Sequence, residues 1–275
     1  AMVDPFPQVA GRGIKLLGDK GVEDHVGLME EEAKKLNAPF VKRVTTGLPW
    51  VKLKWAQSVD GKIAAASGDS QWISGPAARK LVHQWRGQVD VVMVGIGTAL
   101  ADDPQLTARD VKPRRIARRV IVDPNFKLPD DAKVFRKDTD GTLIPVTLAV
   151  GSDAMKSQVH RLEKLQALGV EFFPLEPVEA GSREMNLRPL MEHLSQKHQA
   201  TNILVEGGGR LHGSLIRQQL ADQLLVFVSP KIIGDDHARS GIAGMDCPTM
   251  KQALTIHTPD VTILEQDVLL DYRLR

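Results

Sequence analysis

The stretch DVVMVGIG, residues 90–97, runs apolar without alternation for the length of one strand and then ends in glycine. A strand with one wet face alternates apolar and polar residues, so an unbroken run needs cover on both faces, as in a parallel sheet flanked by helices. The surrounding patterns agree. WVKLKWAQ puts Val51, Leu53 and Trp55 on one face and Lys52, Lys54 and Ala56 on the other, and ends at an Asp60-Gly61 turn signal. ISGPAARKLVHQWRGQ reads as a helix with Ser74 as N-cap and Pro76 in its first turn. RRVIVD and TLAVGS read as strands, MKSQVHRLEKLQALG as a helix, VEFFPL as a strand, LRPLMEHLSQKH as a helix and NILVE as a strand. RLHGSLIRQQL then reads as a helix, DQLLVFVSPKIIG as a long strand, and VTILEQDVLLDYRLR as an antiparallel edge hairpin. The expected fold class is α/β, with a mostly parallel central sheet flanked by helices and an antiparallel C-terminal edge. The first 48 residues lack this alternation, and the TTGLP turn signal places a boundary near Pro49.

Charge and composition exclude several functions. With 36 basic and 34 acidic residues there is no field to draw the chain onto nucleic acid or an anionic membrane. Aromatic residues make up 4%, too few for a base-stacking surface. The single cysteine, Cys247, excludes a disulfide framework and a cysteine-built zinc site, so no metal is expected. No apolar run approaches the roughly 18 residues of a membrane span. Asp4, Pro5, Pro7 and Arg12 stand where a signal peptide would carry its apolar core, so cytoplasm is the expected location.

The segment with most chemistry is ILVEGGGRLHGSL, residues 203–215, where three consecutive glycines separate a buried strand from a helix start. Bare backbone at a helix N-terminus suits a phosphate or pyrophosphate, although a tight turn without a ligand would also use glycine. The dinucleotide fingerprint fails, because Gly207 and Gly209 are followed by Gly213, one position late. Glu206 closes the strand where open α/β sheets place ligands. Arg86 and Arg109 can hold an anion in bidentate fashion, while Asp102 and Asp103 before Pro104 fit a turn. Lys54 shares a strand face with Ala56 and is read either as solvated or as pointing into a cleft. Asp60 is read either as a turn residue or as a polar participant.

VKLKWAQSVDGKIAAASGDSQWIS (51–74), VMVGIGTALADDPQLTAR (92–109) and ILVEGGGRLHGSL, in that order, resemble the reductase domain of the riboflavin-pathway bifunctional deaminase/reductase; Val59 stands where that family often has Leu. The resemblance implies a dihydrofolate-reductase-like fold in residues 49–275, NADPH as hydride donor, a homodimer, and reduction of the ribosyl group of 5-amino-6-(5-phosphoribosylamino)uracil to a ribityl chain. Carried over by position, Ala56, Trp72, Thr98, Asp102, Gly208, Gly209, Arg210, Leu211, His212, Gly213 and Ser214 would contact the cofactor. Ser70, Arg86, Leu106, Arg109 and Glu206 would hold the substrate, a small phosphorylated ribosylaminopyrimidine. Lys54, Asp60 and Glu206 are the candidate catalytic groups.

Residues 1–48 resemble the C-terminal end of the preceding deaminase domain. A zinc deaminase needs H-x-E and P-C-x-x-C. None of the eight histidines here has Glu two residues later, and Cys247 stands alone, so no deaminase activity is expected from this chain. Either the chain is a piece of a bifunctional protein or the catalytic half has been lost. Two other readings stay open: a reductase of the same fold acting on a pteridine-like or folate-like substrate, and a non-catalytic nucleotide-binding module.

Overall fold

A computed structural model describes residues 1–6, 8–137, 141 and 144–274. The chain divides into two compact units, one of Ala1–Trp50 with Met191–Asn202, the other of Val51–Leu190 with Ile203–Arg275. The first contains α1 (Arg12–Asp19) and α2 (Glu30–Thr46). Glu30, Glu31 and Glu32 meet the positive end of α2, and Gly47, at φ 74°, closes it through its N–H to the Arg43 carbonyl.

The second unit is organised around the sheet. The strands are β1 (Trp50–Ser58), β2 (Val91–Gly95), β3 (Arg118–Val122), β4 (Val146–Gly151), β5 (Glu171–Leu175), β6 (Asn202–Glu206), β7 (Gln223–Ser229), β8 (Asp260–Leu264) and β9 (Asp267–Arg273). They form one nine-stranded sheet in the order β5-β4-β3-β2-β6-β1-β7-β9-β8. β2 runs parallel to β3 and β6, and β1 parallel to β7, whereas β9 pairs antiparallel with β7 and β8. The expected architecture is therefore present, including the antiparallel edge. Pro174 lies in β5, at the other edge, where a missing N–H leaves no ladder bond broken.

The helices are α3 (Pro76–Arg86), α4 (Ile96–Asp102), α5 (Ser152–Ser157), α6 (Val159–Ala167), α7 (Arg188–Lys197) and α8 (Gly209–Arg217). Beneath α3, buried Ala78 and Val82 join Val92, Val94, Ile121, Leu204 and Phe227 in the core.

Four local expectations change. The N-cap of α3 is Gly75 rather than Ser74, and its N–H donates to the buried Asp267 carboxylate at 2.6 Å, so a distant acid does the work of a local cap. Asp102 and Asp103, expected in a turn, instead end a helix: Asp102 is the last residue of α4 and Asp103 its C-cap, with Ala99 buried beneath. The helix expected after β4 is two, interrupted at Gln158; Arg161 ties the second piece to Asp130 and to the Phe126 carbonyl, at 2.6 and 2.5 Å. β7 stops at Ser229, before Pro230.

Candidate active site

Three neighbouring parallel strands, β2, β6 and β1, bring their carboxyl ends together. The backbone between β6 and α8 explains its glycines individually. Gly207 and Gly208 have φ of 83° and 92°, where a side chain is strained, and a Cβ on Gly207 would stand 3.1 Å from Thr98 Oγ1. A Cβ on Gly209 would stand 2.5 Å from the Ser240 carbonyl oxygen, and one on Gly213 would stand 2.0 Å from that of Ala243. The glycines thus serve the turn and the close packing of residues 240–243 as well as leaving bare main chain. Thr98 from α4 borders this turn, and Gly95 lies against Leu211, so the two glycine-ended strands adjoin. The N–H groups of Gly209, Arg210 and Leu211, in the first turn of α8, have no helical acceptor and carry the positive end of the helix dipole. That surface fits the pyrophosphate of a dinucleotide.

The rest of the expected cofactor set divides. His212 is fully buried, its ring tilted on Trp55 with centroids 5.4 Å apart. Burial pushes its pKa down to about 4, and the neutral ring donates from Nδ1 to the Gly241 carbonyl at 2.8 Å. Leu211 is buried, and Ser214 Oγ donates to Glu184 at 2.7 Å. The side chains of Leu211, His212 and Ser214 therefore pack within the protein, which leaves their main chain as the part open to a cofactor. Asp102 ends α4 and is exposed, and Ala56 is half-buried on β1. Trp72 is 59% exposed, with the Arg79 guanidinium 4.6 Å from its ring centroid and Lys231 Nζ donating to its carbonyl.

On the α3 side of the sheet stands a buried ionic cluster. Arg86 grips Glu206 with both arms, Nε to Oε1 at 2.5 Å and Nη2 to Oε2 at 2.8 Å, and its Nη1 donates to the Thr107 carbonyl at 3.2 Å. Burial alone would raise the Glu206 pKa, but Arg86, aided by Lys54, holds it below the ordinary value. Lys54 is lowered, chiefly by burial, against the pull of Glu206, and its Nζ lies 5.6 Å from the centre of the Phe227 ring. Arg86 was expected to hold a ligand anion; here its fork is engaged by the Glu206 carboxylate, which it orients and helps to ionise. Glu206 in turn is an acceptor and has no proton to give.

Asp60 sits in a turn, as one of its two readings had it. Its carboxylate accepts the N–H groups of Ile233 and Gly234, at 3.1 and 2.7 Å. Hydrogen bonds from Ser58, Gly234 and Ile233 hold it well below the usual carboxylate range, and it fastens the β1 turn to residues 233–234. Leu106 has a buried side chain and φ of 57°, leaving only its main chain for a ligand. Ser70 is half-buried and Arg109 exposed. A cleft of about 380 Å³ opens beside Arg86 and residues 105–108, with Arg115, Arg119, Arg136 and Lys137 also on its walls. Its charge suits a phosphorylated ligand. Sequence reasoning missed His83, Thr107 and Asp267. The three-residue spacing of His83 and Arg86 was the usable signal for one of them, since it puts both on one helix face.

Residues 49–265 match the family model described as the RibD C-terminal domain. The chain belongs to this family. Among RibD proteins, the riboflavin biosynthesis protein RibD of Aquifex aeolicus is 31% identical over 273 residues, 99% of this chain and 71% of that protein. That of Bacillus amyloliquefaciens is 35% identical over 271 residues, 98% and 69% of the respective lengths. Acinetobacter baumannii RibD, in a solved structure, superposes with a TM-score of 0.82 at 33% identity, covering 100% of this chain and 72% of its own. A Thermotoga maritima diaminohydroxyphosphoribosylaminopyrimidine deaminase/5-amino-6-(5-phosphoribosylamino)uracil reductase gives a TM-score of 0.77 at 28% identity, covering 100% and 70%. Among the described residues no helix is long and apolar enough to cross a membrane.

Proposed function

We infer that this RibD-family chain reduces 5-amino-6-(5-phosphoribosylamino)uracil, with NADPH as the electron source, to the ribitylamino product. The observation that carries the reading is the cluster of Lys54, Arg86 and Glu206 at the same strand ends as the glycine turn before α8. The glycine turn and the first turn of α8 would hold the pyrophosphate of NADPH, which when bound would supply hydride for C1′ of the ring-opened sugar imine. The protein's part is alignment and one proton. Glu206, fixed by Arg86, accepts sugar hydroxyls. Lys54, with its proton affinity reduced by burial, gives a proton to the imine nitrogen as hydride reaches carbon, so the C=N bond becomes C–N with both new hydrogens accounted for. Arg109 and the basic cleft take the phosphate.

Residues 1–48 are, in this reading, the C-terminal end of a deaminase-like domain. Two copies pair through the reductase unit; the outward Val261 and Ile263 on edge strand β8 give such a contact its apolar surface. The test is NADPH oxidation by the folded chain with the deaminated substrate, with the ribitylamino product identified by mass. Absence of both substrate-dependent oxidation and product ends the proposal.

A further inference from the structure

His83 lies one turn before Arg86 on α3, and its ring meets the segment that follows α4. Nδ1 is 3.2 Å from the Thr107 carbonyl oxygen and 3.3 Å from the Arg109 amide nitrogen. One nitrogen cannot donate to the first and accept from the second at once. The Thr107 carbonyl already receives Arg86 Nη1, whereas the Arg109 N–H has no other acceptor among the described residues, so the neutral ring serves best as acceptor with its proton on Nε2.

We propose that His83 is a positioning residue: by accepting the Arg109 N–H it fixes the main chain there, and through it the guanidinium that takes the substrate's anionic group. The charged groups acting on it are Arg86 on its own helix, Arg109 on the opposing segment and Glu206 on β6. Burial first, then the two arginines, hold the ring below the ordinary histidine pKa, against the opposing pull of the Thr107 carbonyl and Glu206. His83 and Arg86 thus act as one device: Arg86 orients Glu206 and grips Thr107, and His83 orients Arg109 two residues on. This role rests on the substrate proposed above.

The test uses the full chain and exploits ring geometry. In His83→Asn the side-chain amide occupies the place of Nδ1, and in His83→Gln it occupies the place of Nε2. The expected result is that His83→Gln and His83→Ala raise KM for the phosphorylated substrate about tenfold while His83→Asn stays near wild type. In all three variants kcat and NADPH affinity hold. Equal KM in the Asn and Gln variants, or an equal fall in NADPH affinity, overturns the role. Should wild type show no turnover, the proposed reaction fails, and calorimetry with ribose 5-phosphate still reads His83. Binding in wild type and His83→Asn that weakens in His83→Gln supports the role; equal affinities, or none in wild type, overturn it.

Discussion

The glycine turn before α8 and the ionic cluster around Arg86 stand at the ends of the same strands and are built in opposite ways. The turn is made by removing side chains: Gly207 and Gly208 adopt φ values that side chains resist, and Gly209 and Gly213 let residues 240–243 approach. The cluster is made by burying them, with an arginine and a glutamate 120 residues apart joined by two hydrogen bonds. A backbone site tolerates any ligand with the right anionic group, whereas a buried ion pair fixes one carboxylate in one orientation. In the proposed function the first takes a common dinucleotide and the second a particular sugar.

That division can be broken by substitution. The largest expected effect is in Lys54→Met, which removes the proposed proton donor: kcat falls at least about a hundredfold, with NADPH affinity and folding stability retained. A kcat within a few-fold of wild type would remove Lys54 from the chemistry. Next, Arg86→Leu strands a buried carboxylate and costs about 3–5 kcal/mol in urea unfolding. The same pair sets an acid limit. Glu206 has a folded pKa below its unfolded value of about 4.3, so its contribution is complete above that value and is lost as pH falls toward the folded pKa. Glu206→Gln should flatten that part of the stability–pH curve; an unchanged slope would mean the pair is not formed in solution. The smallest effect is Asp60→Asn, which weakens an exposed fastening of residues 233–234 and lowers Tm slightly with kcat unchanged. A large loss of kcat there would restore Asp60 as a catalytic group.

The same contrast explains what could be read in advance. Unbroken apolar runs such as residues 90–97, glycine punctuation and a C-terminal alternating tail are local signals, and they specified the parallel sheet, the turn at Gly207 and the edge hairpin. Glu206 was legible because it ends a strand. Its bond to Arg86, the Asp267 cap on α3 and the His83 contact with Arg109 depend on packing between distant segments, which no spacing encodes. The surroundings of His212 were illegible for a related reason. The resemblance put it among the cofactor residues, but only the approach of residues 240–243 gives its Nδ1 a carbonyl partner.

The most direct measurement is NADPH affinity, followed by quenching of tryptophan fluorescence, in wild type, Gly208→Ala and Glu206→Gln. A Cβ at Gly208 covers part of the bare main chain and pulls the backbone out of its positive-φ conformation, so NADPH binding should weaken about tenfold, about 1.4 kcal/mol, in that variant and remain near wild type in Glu206→Gln. No affinity in wild type, or equal losses in both variants, would contradict the assignment of the dinucleotide to the bare backbone and the sugar to the buried pair.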